Sequence, residues 1–205
     1  MNIGPYTVDE RVITFDKQAM PKSGHLVVLV GGSGVGKSFV LKNVIPITGK
    51  VFNPDLWIEM AAKTKGLDLK DPEATSELHK TISPRNKAFM KSFLETLGAS
   101  KKPNVILDST GRSLIGSVLP LLPDMKKRGY KTTLVYVFAD KSVAWQRNLQ
   151  RDRVVPKEIF DKIHDTIGGI VKTAQDAFDN VWYVDSSLST PRFWATNPER
   201  IMKVK

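Results

Sequence analysis

A continuous apolar run at residues 26–30 ends in Gly31-Gly32-Ser33-Gly34-Val35-Gly36-Lys37-Ser38, and that junction constrains the chain more than anything else in it. Every fixed position of the pattern G-x-x-x-x-G-K-[ST] is met. Glycines let a backbone wrap an anion with its N–H groups turned inward, and the first turn of a following helix adds a favourable dipole. Gly32, Ser33, Gly34, Val35 and Gly36 are therefore the expected wall of a phosphate cradle. Lys37 is the group expected to reach the terminal phosphates, and Ser38 the hydroxyl placed for a magnesium ion. Such a junction needs a buried strand, a tight turn and a helix in immediate succession, which selects a layered α/β architecture.

Further strands are expected at residues 50–53, 105–108, 132–138 and 181–184. Between them fall helical patterns at 37–44, 54–63, 113–128, 141–153 and 156–179. Two more helical pieces are expected between residues 72 and 98, one opened by Pro72 and one by Ser83-Pro84. Pro120 and Pro123 should break or kink their helix, Gly168-Gly169 reads as a candidate kink or break, and the tail after Ser186 reads as polar and irregular. Strands alternating with helices imply parallel βαβ units with right-handed crossovers. The expected fold is a single α/β domain over residues 1–205, a three-layer sandwich around a mostly parallel five-stranded sheet. It carries a helical insert at about 64–100 and an arginine-bearing lid at about 141–156. In open sheets of this kind ligands bind beyond the carboxyl ends of the strands, which selects residues 31–38, 53–55, 108–112 and Asp140.

Composition narrows the function. The 205 residues are 41% hydrophobic and 25% charged, ordinary for a domain that buries a core. The absence of cysteine excludes disulfides, a thiolate nucleophile and zinc-finger spacing, while His25, His79 and His164 share no ligand spacing. No apolar run nears the roughly 20 residues that span a bilayer, and residues 1–11 lack the layout of a signal peptide. No membrane association is expected, and a cytoplasmic location is, in the host cytoplasm if the chain is phage-encoded. Lys and Arg number 31 against 21 Asp and Glu, a net charge of +10 that favours polyanionic partners. Lys101-Lys102, Lys126-Lys127-Arg128 and the basic tail at 203–205 form either a phosphate-tracking patch or a solvated surface.

A phosphate cradle serves several classes of protein. The N-K-x-D segment of a GTPase is absent, and the paired carboxylates of a motor-like ATPase are not found after the third strand. Instead, Asn53-Pro54-Asp55 comes after the second strand, Asp108-Ser109-Thr110-Gly111-Arg112 after the third, and the arginine-rich stretch 146–156 after the fourth. With the cradle, these four places resemble the P-loop kinases of the zeta toxin and polynucleotide 5′-hydroxyl kinase group over residues 26–185. The resemblance implies that Asp55 accepts the proton of an attacking hydroxyl and that Arg112 contacts the substrate. It also implies that lid arginines close over the phosphates, Arg151 foremost, with Arg147 and Arg153 beside it.

The residues themselves leave alternatives. Asp55 either orients a hydroxyl in line with the γ-phosphate or serves only the dipole of its helix. Asp108 ends a buried strand, where it holds a metal shell or a water, caps the turn, or replaces Asp55 as base. Ser109 and Thr110 either bond a phosphate or close the turn. Arg112 also reads as solvated charge, as does the arginine cluster, in which Arg147 and Arg151 sit four apart on one helical face and Arg153 follows at its end. Trp57 and Trp145 read as packing residues, and His79 and His164 as surface.

The expected activity is ATP- and Mg2+-dependent transfer of the γ-phosphate to an alcohol. Net charge points to a polynucleotide acceptor, DNA foremost, and the resemblance adds a hydroxymethylated base such as 5-hydroxymethyluracil, as in bacteriophage DNA modification. A nucleotide sugar, the zeta toxin type of acceptor, is the alternative. A nucleic-acid binding protein that uses ATP only as a switch is a third reading. No obligate protein partner is expected.

Overall fold

Strand β1 (His25–Val30) is buried at every position after His25, and its side chains alternate between two cores. Leu26, Val28 and Val30 enter one, Val27 and Leu29 the other. This two-sided burial is the property of a central strand in a covered parallel sheet. The computed structural model describes residues 22–45, 47–98, 102–188 and 192–195. The readings of residues 1–11, of Lys101 and of the basic tail at 203–205 fall outside them.

After β1 come α1 (Lys37–Asn43), β2 (Lys50–Phe52), α2 (Pro54–Lys65), α3 (Pro72–Glu95) and β3 (Val105–Ser109). A π turn (Leu114–Val118) and a 3-10 turn (Leu119–Leu121) lead into α4 (Leu122–Lys127). The chain continues through β4 (Lys131–Phe138), α5 (Lys141–Leu149), α6 (Lys157–Ala174), β5 (Asn180–Asp185) and β6 (Arg192–Ala195). The sheet order is β2-β3-β1-β4-β5-β6, with five parallel strands and β6 antiparallel to β5. One face packs against the end of α3, the turns before α4, α4 itself and most of α6; the other packs against α1 and α5. This is the expected three-layer α/β sandwich, with the glycine-rich loop at the carboxyl end of the central strand.

Four local expectations are corrected. The tail after Ser186 is not wholly irregular: Arg192-Phe193-Trp194-Ala195 pairs with β5, Tyr183 lying opposite Trp194, and covers an edge that would otherwise leave backbone groups unpaired. Pro84 starts no new helix, because α3 runs unbroken through it for 24 residues. An interior proline costs about 3 kcal/mol. Leu78 on one side of it packs with Ile58 and Ala62 of α2, while Leu94 on the other joins the main core. Each such burial contributes roughly 1.5–3 kcal/mol, so the two together match or exceed the cost of the proline. The glycine pair at 168 and 169 does not interrupt α6. Finally, α5 stops at Leu149, so Arg151 and Arg153 lie on the loop beyond it and share no helical face with Arg147.

Proline does break the 113–128 stretch as expected, into a π turn, a 3-10 turn and a short helix.

Candidate functional site

The cradle begins where β1 meets β3. Gly31 N–H donates to the Ser109 carbonyl, and the register sets Leu29 beside Asp108. Gly36 has φ +80°, a left-handed conformation that admits glycine readily, and it precedes the first residue of α1. A Cβ on Gly32 would collide with the ring of His164. The glycines therefore serve two ends, turning the backbone and letting α6 approach it.

Lys37 Nζ folds back onto the cradle, donating to the carbonyls of Gly31 at 3.0 Å and Gly32 at 3.4 Å. It also lies 3.8 Å from Asp108 Oδ1. The Asp108 side chain is only 8% exposed. Burial pushes its carboxyl above the usual aspartate range, Lys37 pulling against that shift and Asp55 adding to it. Asn53 connects the two acids. Its Oδ1 accepts from the backbone N–H of Asp55 at 2.9 Å, capping α2, and its Nδ2 donates to Asp108 Oδ2 at 2.8 Å. Asp55 does occupy the first turn of α2, and its own carboxylate is turned to Arg153, whose Nη1 lies 2.5 Å away.

Asp108 does not cap the turn after β3. Ser109 does so, its Oγ accepting from Gly111 N–H at 3.0 Å and lying 2.9 Å from Ser113 Oγ. Arg112 is exposed and makes no hydrogen bond or ion pair with another described residue.

The three arginines after β4 go to three places. Arg147 Nη1 donates to the Ser186 carbonyl at 2.8 Å. Ser186 Oγ in turn donates to the Val35 carbonyl, so this arginine props the cradle from behind. Arg151 Nη1 donates to Ser33 Oγ at 2.8 Å, at the cradle itself. Arg153 reaches Asp55.

Sequence reading missed three residues that touch the cradle. His164, expected on the surface, is half-buried, stacks on Phe160 with centroids 4.0 Å apart, and holds its Nε2 3.0 Å from the Ser33 carbonyl. A carbonyl only accepts, so Nε2 carries the proton. Burial lowers its pKa, which keeps the ring neutral at physiological pH. Ser186 and the fully buried Asn148 are the others. The one available signal was the position of His164 two turns into an amphipathic helix, four residues after Phe160 and one after Ile163. Trp57 and Trp145 pack as expected, against Phe89 and Phe160. His79, also as expected, lies on the outside of α3.

Among the described residues no cluster of three or more His, Cys, Asp or Glu could hold a metal. A magnesium ion here would take few protein ligands, which suits an ion that keeps waters and nucleotide oxygens. Asp108, with Oδ1 free of any donor closer than Lys37 at 3.8 Å, and the exposed Ser38 fit that role.

The basic runs lie elsewhere. Lys102 sits beside Gly24 and Gly129, and Lys126 pairs with Asp179, all at the amino ends of the strands. Arg128 binds Asp124 and the carbonyls of Leu94 and Leu97. No helix among the described residues is long and apolar enough to cross a membrane.

Comparison with known proteins matches residues 10–198 to the zeta toxin family. No curated protein matches the chain. The crystal structure of AvrRxo1-ORF1:-ORF2 with ATP is similar at TM-score 0.65 and 17% identity over 86% of this chain. The chain spans 62% of that protein, less than two thirds of its length. The PezAT toxin-antitoxin system of Streptococcus pneumoniae matches at TM-score 0.58 and 13% identity, covering 90% of this chain and 76% of that one. Deoxyadenosine kinase from M. mycoides with bound dATP matches at TM-score 0.50 and 14% identity, over 80% and 92%. At these identities the likeness is one of fold, that of the P-loop kinases.

Proposed function

The chain belongs to the zeta toxin family, and on that premise we propose that it is an ATP- and Mg2+-dependent kinase that phosphorylates an alcohol. The observation that carries this reading is the convergence of Lys37, Asp108, Asp55 and Arg151 around one glycine cradle at the end of β1. Gly32, Ser33, Gly34, Val35 and Gly36 would hold the nucleotide phosphates through backbone N–H groups. Lys37 would exchange its cradle carbonyls for phosphate oxygens, and Ser38 and Asp108 would hold a magnesium ion. When bound, that ion neutralises phosphate charge.

Asp55 is the base. It stands at the start of α2, fixed by the Asn53 cap, and accepts the proton of the incoming hydroxyl once Arg153 yields its place. Arg151 supplies positive charge to the transferring phosphoryl group, where negative charge develops. Arg147 acts from further back, through Ser186. Arg112, exposed and unengaged by described neighbours, meets the acceptor.

The acceptor is a small phosphate-bearing alcohol of the nucleotide-sugar type. The acceptor side offers Arg112, while Lys102, Lys126 and Arg128 sit at the other end of the sheet or are committed to carboxylates. The net charge of +10 favours a second reading, a polynucleotide hydroxyl such as a hydroxymethylated base in DNA. Incubation with γ-labelled ATP, Mg2+ and a panel of nucleotide sugars, oligonucleotides and hydroxymethylated DNA separates the two. Label in a nucleotide sugar with little salt dependence supports the first. Label in DNA, falling steeply as salt rises, supports the second. Transfer that persists in Lys37→Ala, or label in no acceptor, overturns the kinase reading and leaves ATP as a binding switch.

A further inference from the structure

We propose that Asn148 is a positioning residue for phosphoryl transfer, setting where Arg151 meets the cradle. Asn148 ends the buried face of α5 and is 0% exposed, although its side chain is polar. A buried carboxamide is costly unless its hydrogen bonds are made. Here they are, and all go to two places. Its Nδ2 donates to the Val155 carbonyl at 2.9 Å, and its Oδ1 accepts from Val155 N–H at 3.2 Å. One side chain thereby closes the loop at residues 150–154 as a strand partner would. The same Oδ1 accepts from Ser33 Oγ at 2.7 Å.

That last bond decides the direction of the next one. A hydroxyl has one proton and two lone pairs. With its proton given to Asn148, Ser33 Oγ presents lone pairs outward, and Arg151 Nη1 donates to it at 2.8 Å. Asn148 thus sets both ends of the contact, closing the loop that bears Arg151 and polarising the hydroxyl that receives it. In such a relay each bond strengthens its neighbour, and removing either end forfeits a common effect. Fully buried, Asn148 acts through Ser33 and Arg151.

This inference rests on the reading of Arg151 as the arginine that meets the terminal phosphates. The test uses ADP and AMP-PNP in the presence of Mg2+, so no acceptor need be known. Dissociation constants are measured for the parent, Asn148→Ala, Arg151→Ala and the double variant, with a thermal melt on each. A charge-assisted contact to the extra phosphate makes the triphosphate analogue bind tighter on the order of 10-fold or more. Asn148→Ala is expected to erase that preference as Arg151→Ala does, and the double variant to lose no more than either single one. A merely structural role would lower the melting temperature and leave the ratio unchanged. A folded Asn148→Ala with the parental ratio, or two losses that multiply, overturns the proposal. Should Asn148→Ala not fold, Ser33→Ala keeps the closure at Val155 and cuts the relay, and a parental ratio there overturns it equally. A parent that binds neither nucleotide fails the kinase reading itself. A parent that binds both while the variants change nothing fails this inference alone.

Discussion

The guanidinium of Arg153 lies 2.5 Å from the carboxylate of Asp55, so the acid at the head of α2 and the loop after α5 are joined across the site. Both side chains are partly open to solvent, which makes the pair weak as a stabilising device, worth less than about 1 kcal/mol. Its interest is chemical, because it occupies the carboxylate oxygen that the proposed reaction assigns to an acceptor hydroxyl.

Asp55→Asn is expected to lower turnover about 10²- to 10⁴-fold while ATP affinity stays near the parent's. Label transfer and titration calorimetry on the same preparation check the two halves. Equal turnover in parent and variant would move the base to Asp108. Arg153→Ala is expected to leave the melting temperature almost unchanged and to alter the acceptor KM, as the competitor for Asp55 is removed.

Asp108 ties stability to pH. Its carboxyl is raised by burial, so the folded protein favours the protonated form. The penalty for ionising it is absent below the ordinary aspartate value of about 3.9, grows as pH rises through the raised folded value, and is complete above it. Asp108→Asn keeps an acceptor for Asn53 and removes the charge. It is expected to melt above the parent at pH 8, with the gap closing toward pH 4, and to lose phosphoryl transfer. A constant gap across pH would remove Asp108 from the account.

Gly32→Ala places a methyl group into the imidazole of His164. Overpacking of this kind costs about 1–3 kcal/mol. Denaturant titration should show that loss together with weaker nucleotide binding. The double variant with His164→Ala is expected to recover part of the stability, since the obstructing ring is gone. Additive losses would show that the glycine is needed for another reason.

Pro84 is exposed in the middle of α3 and offers little packing in return for its missing N–H. Pro84→Ala is expected to raise stability by up to about 3 kcal/mol, read as a higher melting temperature. An unchanged or lower value would mean that the proline shapes the helix for its partner α2.

What could be read in advance divides along physical lines. The glycine loop, the acid after β2 and the acid near the end of β3 were legible because local sequence and strand order dictate where they lie. Asp55 and Asp108 need only lie where parallel strands stop. Pro84 misled because its local penalty is visible in sequence and the compensating contacts of Leu78 and Leu94 are not. Arg151 looked like a member of a helical face with Arg147 because nothing local announces that Asn148 will bond Val155 and end the helix early. His164 was overlooked for a related reason: the neighbours that draw it to the glycine loop are Ser33 and Gly32, more than 130 residues away. Strand β6 hid among polar neighbours, its pairing decided by an edge formed elsewhere.

The α2–α3 hairpin joins the end of β2 to the start of β3, and these strands are direct neighbours in the sheet. At 24 residues α3 is about 36 Å long, whereas the five residues of β3 rise about 16 Å. The helix is therefore roughly 20 Å longer than the strand, and its first half is braced on α2 through Leu78 and Ile82 rather than on the sheet. Adding or deleting whole turns in this part of α3 would lengthen or shorten the α2–α3 hairpin without shifting a single strand register. The length of this hairpin is thus free to change while the sheet that carries Asp108 and leads into the glycine loop keeps its register.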